Sequence, residues 1–330
     1  MARVRMADVA AQVGVSTKTV SNVINGTGWV GDTVRAQVLA AIDELGYRPN
    51  LAARQLRGGS SGFLGLCVPN LREPYFAEFA SEFVDAAQAR GLTVLVTQSK
   101  GVRSVESAML EGEDLPALDG LVLSALALTP DDIAARRSTV PLVLIGEQGE
   151  SLASETVAHV GPDNAAAAEA ATRFLLADGR RRIAAIGLQH SAFDGTARVR
   201  SEGYRRALAA AGIPLDPALL VEVDRYNRAE GSSAVEGLIA AGIEFDGVFC
   251  FNDTLAFGAL HTLGMHGISV PGQVRVVGYD NIEESKYTIP PLTTVDPGVA
   301  SASPLILDLL AGPASRRRGH ITVPFALIER

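Results

Sequence analysis

Apolar residues at helical spacing open the chain. Over residues 6–13, Met6, Val9, Ala10 and Val13 share one face, which predicts a short helix. Gly14 stands where the helix end wants a left-handed residue, and Ser16 is placed to cap a second helix over about 17–24, ending near Asn25-Gly26. A third helix is expected over about 32–45, with Asp32 as cap and Val34, Val38, Ile42 and Leu45 as its buried stripe. Past residue 62 the pattern changes. Short apolar runs at Phe63–Val68, Leu92–Val96, Gly120–Ser124 and Leu142–Ile145 read as strands, with a helix over about 75–90. After Gly161 the series restarts with helices at about 163–177, 200–211, 230–241 and 254–266, which alternate with strands Ile183–Gly187, Leu220–Val223, Gly247–Phe251 and Arg275–Tyr279. Such alternation predicts parallel, doubly wound α/β sheets, and two consecutive series predict two lobes. Ligands of such sheets bind beyond the carboxyl ends of the strands, and two facing lobes close on a small molecule like a hinge.

The second helix has an informative face. Val20, Val23 and Ile24 fall on one arc, while Thr17, Lys18, Ser21 and Asn22 fall opposite, with no acid among them. Two short helices joined by a Gly-containing turn describe a helix-turn-helix, whose second helix enters the major groove. An ordinary solvated helix face is the competing reading, and the pattern leaves both open. Further on, Pro49–Arg57 reads as one more short helix, followed by the flexible run Gly58-Gly-Ser-Ser-Gly62, which puts a domain boundary near residue 60. A lone helix of about eight residues is marginal in water.

Composition changes this picture in one respect. The net charge of −8 speaks against a nucleic-acid partner, but its distribution does not: residues 1–59 carry seven Lys/Arg and four acids, a net +3 that leaves −11 on the rest. A basic head on an acidic body suits a two-module DNA binder. No apolar run is long enough for a membrane span, and the N-terminus has no apolar signal core, so a cytoplasmic protein is expected. Cys67 and Cys250 each sit in a strand-like run and read as reduced core residues. Two tempting strings fail on context. Gly26–Gly31 has the spacing of a dinucleotide loop but follows a helix, and Gly58–Gly62 has that of a nucleophile elbow but lies in a linker. There is no Walker loop, no histidine pair at metal spacing and no catalytic constellation, so no enzyme, cofactor or metal is expected. Of the five histidines only His190 is placed near the expected cleft.

The wording of the first fifty residues is specific. Met6-Ala-Asp-Val-Ala-Ala-Gln-Val-Gly-Val-Ser-Thr-Lys-Thr-Val-Ser-Asn-Val-Ile-Asn25, followed by Val38-Leu-Ala-Ala-Ile-Asp-Glu-Leu-Gly-Tyr-Arg-Pro-Asn50, resembles the headpiece of the lactose-repressor (LacI/GalR) family. The resemblance implies a helix-turn-helix headpiece over 1–48, a hinge helix and linker over 49–61, and an effector-binding, dimerising body over 62–330. Thr17, Lys18, Ser21 and Asn22 are then expected in the major groove, and Ser16, Thr19, Asn25, Arg54 and Arg57 on the DNA backbone. Ala53 and Leu56 of the hinge are expected in the minor groove, where an apolar wedge unstacks a base step and bends the duplex. Members usually carry Arg where this chain has Asn22. Arg favours guanine and Asn favours adenine, so an altered base preference is expected at that operator position.

The body also resembles the family, which shares its fold with periplasmic sugar-binding proteins. The matching phrases are Asn70–Phe76, Val160–Asp163, Arg200–Tyr204, Asn252–Ala259, Val276–Asn281 and Pro290–Val295, whereas about 100–118 and 313–320 fit poorly. The implied lobes are about 62–160 with 292–320, and 161–291 with 321–330. The resemblance places Asp280 and Arg200 on effector polar groups, Asn252 or Asp253 as further hydrogen-bonding groups, and Phe76, Tyr75 and Tyr226 as a stacking wall; Glu147 lies near a position that often carries an acid. For each charged residue a buried structural ion pair is the alternative, and Asp253 has the further alternative of a helix cap. The implied function is a repressor that binds a pseudo-palindromic operator as a homodimer and answers to a small effector. A sugar or sugar derivative is the first expectation for that effector and a purine-like base the second. A solute-binding transport protein would share the body but not residues 1–59.

Overall fold

The computed structural model describes residues 4–47, 60–113, 115–189, 195–313, 316 and 318–330. The chain divides into two compact units, Met1–Ser61 and Gly62–Arg330. The first holds helices α1 (Met6–Val13), α2 (Thr17–Asn25) and α3 (Asp32–Leu45). The Ser16 hydroxyl caps α2 by accepting the Thr19 N–H at 3.1 Å, and Gly14 ends α1 in the left-handed region at φ 73°. Gly31, not Asp32, is the N-cap of α3. Asp32 is the first helical residue, where its charge still complements the helix dipole. Val9, Ala10, Val20, Val23, Val38, Ala41 and Tyr47 form the small core. The expected hinge helix, with Ala53, Arg54, Leu56 and Arg57, lies outside the described residues.

The second unit is built on strands β1 (Phe63–Val68), β2 (Thr93–Gln98), β3 (Gly120–Ser124), β4 (Leu142–Ile145), β5 (Ala158–Gly161), β6 (Ile183–Leu188), β7 (Leu220–Glu222), β8 (Gly247–Cys250), β9 (Arg275–Tyr279), β10 (Thr293–Asp296), β11 (Gly319–Thr322) and β12 (Ala326–Ile328). Its helices are α4 (Pro74–Gln88), α5 (Arg103–Glu111), α6 (Pro130–Ala135), α7 (Glu147–Leu152), α8 (Asn164–Ala177), α9 (Gly195–Ala210), α10 (Arg228–Ala240), α11 (Asp253–Met265) and α12 (Val299–Ala311). One sheet runs β11-β5-β4-β3-β1-β2 and the other β12-β10-β9-β8-β6-β7. Every recorded pairing is parallel except β10 with β12. Successive strand residues serve opposite faces. Leu64, Leu66 and Val68 pack with Phe79, Phe83 and Ile306, whereas Cys67 joins Leu110, Leu123 and Leu144 behind the sheet. Cys67 and Cys250 are buried free thiols.

The lobe boundary differs from expectation at two places. β10 belongs to the second sheet, where Thr293 pairs with Val277 of β9 and the Thr294 hydroxyl donates to Asp253 at 2.6 Å. The chain therefore returns to the first lobe at Pro297-Gly298 rather than at 292, and β11 stays in the first sheet through Thr322. Among the described residues no helix is long and apolar enough to cross a membrane.

Helices α10 and α11 touch backbone to backbone. A Cβ added at Gly258 would lie 2.0 Å from the Arg228 carbonyl oxygen, and one at Gly231 2.1 Å from that of Leu255. Only glycine permits this approach. It fixes the start of α11 beside Tyr226, just ahead of α10, and both segments reach the cleft between the lobes.

Candidate effector site and DNA-reading face

A cavity of about 290 Å³ lies where the carboxyl ends of both sheets meet within the second unit. Arg200, on α9, is its hub and is 7% exposed. Its guanidinium donates to Glu147 at 2.6 Å, to Asn164 at 3.3 Å and to the Phe251 carbonyl, and lies over the Tyr279 ring, 3.5 Å from the centroid. Burial opposes the charge of Arg200, but Glu147 and its other partners outweigh that and hold the group firmly protonated. Burial likewise opposes ionisation of Glu147. Arg200, a backbone N–H and the Thr196 hydroxyl at 2.8 Å outweigh it, leaving Glu147 an ionised carboxylate. Glu147 starts α7 in the first lobe and Arg200 lies in the second, so this ion pair crosses the cleft.

Asp280 follows β9 at the floor. Its carboxylate is 10% exposed, and its nearest cation is Arg200 at 4.0 Å. Burial raises its pKa well above the usual range while Arg200 pulls the other way. The backbone there is held at φ 117°, in the region that favours glycine, with the N–H tied to the Val295 carbonyl at 2.8 Å. Such a conformation costs on the order of 1–3 kcal/mol and persists only where the surroundings dictate it. Tyr75 and Phe76, at the start of α4, meet edge-to-face at 5.2 Å and line the cleft, as does Tyr226, whose hydroxyl donates to the Gly187 carbonyl at 2.6 Å. Asn252 lines the cleft too, but its amide is committed. Oδ1 caps α11 on the Leu255 N–H at 2.9 Å and Nδ2 donates to Thr254 at 2.7 Å.

Asp253 is the exception among the expected effector residues. It is 0% exposed and absent from the cavity wall. One residue beyond the cap, its side chain turns inward to accept from the Ile282 N–H and the Ser285 and Thr294 hydroxyls at 2.6–3.1 Å. It staples the β9–β10 connection, and burial pushes its carboxyl up to about 7. His190 lies outside the described residues, whereas His159, expected to be remote, lines the cleft from β5. Its Nε2 lies 2.7 Å from the Gly146 carbonyl and so donates, and Nδ1 then accepts from His320 Nδ1 at 2.7 Å. Burial, with His320 beside it, pushes the His159 pKa down to about 4. Glu73, Asn164 and Thr196 also line the cavity without having been anticipated. Asn164 directly follows the Val160–Asp163 phrase, a signal that could have found it.

In the first unit Thr17 and Lys18 are exposed at the start of α2, and Ser21 and Asn22 are half-buried one turn later. Asn22 packs against the loop beyond its helix. A Cβ on Gly28, at φ 68°, would lie 2.8 Å from its amide nitrogen. Ser16 and Thr19 serve each other, their hydroxyls 2.9 Å apart. Asn25 closes α2. Trp29, in the loop after α2, is 93% exposed and was not singled out by the sequence pattern.

Known proteins match over the whole chain. A family model described as bacterial regulatory proteins, lacI family, covers residues 5–50, and one described as periplasmic binding proteins and sugar binding domain of LacI family covers 61–325. The HTH-type transcriptional repressor PurR of Photobacterium profundum is 33% identical over 87% of this chain and 85% of its own length. The HTH-type transcriptional regulator GalS of Salmonella typhimurium is 31% identical over 98% and 94%. Among solved structures, a LacI-family regulator from Sanguibacter keddieii is 38% identical with a TM-score of 0.73, over 82% of this chain and 97% of that one. The regulator CelR in complex with cellobiose is 29% identical with a TM-score of 0.68 over 99% of both. These relatives are transcription regulators rather than enzymes. The chain belongs to the LacI family of DNA-binding transcription regulators, with a helix-turn-helix headpiece ahead of an effector-binding domain.

Proposed function

We propose that the protein is a cytoplasmic repressor that binds a pseudo-palindromic operator as a homodimer, and that a small sugar seated between its lobes changes its operator affinity. The Asp280 carboxylate carries this reading. It is held at the cleft floor in a strained backbone, beside an aromatic wall and without a full-strength partner. A carboxylate so placed takes paired hydroxyls, and an aromatic wall takes the apolar face of a ring. The relative solved in complex with cellobiose supports a sugar. A purine-like base is the second reading, favoured by the PurR relatives and by Phe76 and Tyr226 as stacking surfaces. A two-fold pair of headpieces reading two half-sites accounts for the dimer. Thr17, Lys18, Ser21 and Asn22 are assigned to base edges, and Ser16, Thr19 and Asn25 to phosphates; Arg54 and Arg57 are assigned to phosphates and Ala53 and Leu56 to the minor groove on the sequence alone.

A thermal-shift series with sugars and nucleobases tests the effector. Ligand at about a hundred times its Kd stabilises the folded state by about 2.7 kcal/mol. A sugar is expected to raise Tm, and Asp280→Ala to abolish the rise. Stabilisation by a nucleobase alone favours the second reading. A response intact in both Asp280→Ala and Arg200→Ala moves the site elsewhere.

A further inference from the structure

The cleft contains a buried cation whose hydrogen-bonding fork is already occupied. Both terminal nitrogens of Arg200 are engaged by Glu147, Asn164 and the Phe251 carbonyl, and its Nε, without a partner, has no exposed surface. The spare capacity facing the cavity is acidic. Asp280 accepts no hydrogen bond among the described residues, and Glu73 holds only a long contact of 3.5 Å from Asn70. Arg225, the other cation lining the cavity, is solvent-exposed. Of the helix N-termini at the cleft, α8 is capped by Asp163 and α11 by Asn252, α4 begins with Glu73 and a proline that has no N–H to offer, and α7 and α12 begin at Gly146 and Gly298 without a side-chain cap.

We propose that the cleft selects an uncharged effector bearing vicinal hydroxyls, and that Glu147 is the specificity-determining residue that excludes phosphorylated and carboxylated analogues. This rests on reading the cleft as a sugar site. A hydroxyl pair donates to Asp280 and leaves the Arg200–Glu147 pair whole. An anion has no free cation on the floor. To reach Arg200 it must displace Glu147, stranding that carboxylate in a buried site. Glu147 therefore acts by occupying the guanidinium that a phosphate would need.

The test uses calorimetry and thermal shift on the full chain with matched pairs: glucose and glucose 6-phosphate, ribose and ribose 5-phosphate, galactose and galacturonate, with hypoxanthine as an outside probe. The wild type is expected to bind a neutral member at least ~100-fold more tightly than its charged partner, the scale of burying an unpartnered charge. Glu147→Gln, which keeps the side chain's shape, is expected to narrow that gap at least ~10-fold by freeing Arg200. A charged member binding the wild type as well as its neutral partner overturns the charge rule and leaves a sugar effector standing. That arm holds whether or not Glu147→Gln folds. Unchanged discrimination in a folded Glu147→Gln overturns the role of Glu147. Binding of hypoxanthine with no sugar bound removes the sugar reading itself.

Discussion

Asn252 and Asp253 are neighbours in sequence, yet one faces the cleft and the other faces the interior. A helix start separates consecutive side chains by about 100°, so a cap and the residue after it cannot serve the same ligand surface. The sequence showed two polar residues at a strand end, but it could not show which one the β9–β10 connection would claim. The consequence is measurable. The folded chain holds the Asp253 proton up to about pH 7, whereas an unfolded aspartate releases it near ~4. Between those values the folded state binds more protons, so this residue's stabilisation is present below about pH 4 and is lost as pH rises toward 7. Urea unfolding at pH 5 and pH 8 should show the wild type losing up to ~2.5 kcal/mol relative to Asp253→Asn. Parallel profiles for the two proteins would refute the assignment. The same variant should keep effector affinity within ~threefold, because the site it occupies shares no partner with the ligand.

At the scale of elements, the order of strands and helices was readable because the apolar period switches between two and about 3.6 along the chain. Arg275–Tyr279 appears in the fold as the sequence predicted it. β10 was assigned to the wrong lobe because Thr293-Thr294-Val295-Asp296 carries no local mark of its partner. Its place comes from pairing with β9 and from the Asp253 staple, both long-range. The Glu147–Arg200 contact was illegible for the same reason: it joins helices of different lobes. Asp280 and Arg200 were legible only through the family phrases, not through periodicity. The close α10–α11 crossing was likewise hidden, since Gly231 and Gly258 sit inside helices where propensity alone disfavours them. Gly258→Ala should force the helices apart and cost about 1–3 kcal/mol, a fall in Tm of several degrees. It should also weaken the effector response, because Tyr226 and Asn252 reach the cleft from this pair. An unchanged Tm in scanning calorimetry contradicts the crossing.

For the whole molecule, the question is how two units report on each other, and the chain supplies its own probe. Trp29 is the single tryptophan and is 93% exposed in the loop after α2. An exposed indole is quenched and red-shifted by water, so contact with a duplex should change its emission while an effector alone should not. Titrating an operator obtained by selection from random duplexes therefore gives a direct binding curve. Coupling between the two sites is a free energy and is reciprocal: the factor by which effector changes operator affinity equals the factor by which operator changes effector affinity. For this regulator a factor of about 5–150 is expected, the ordinary range of such coupling. The titration repeated with saturating effector gives one side of that equality, and calorimetry of effector binding with and without operator gives the other. In Asp280→Ala the Trp29 response to operator should persist and its dependence on effector should vanish, because the change lies in the cleft and not in the headpiece. If Trp29 emission is unmoved by an operator that shifts the protein on a gel, the loop after α2 does not approach DNA. If Asp280→Ala instead loses operator binding outright, the residue supports the fold rather than the effector, and the cleft reading fails with it.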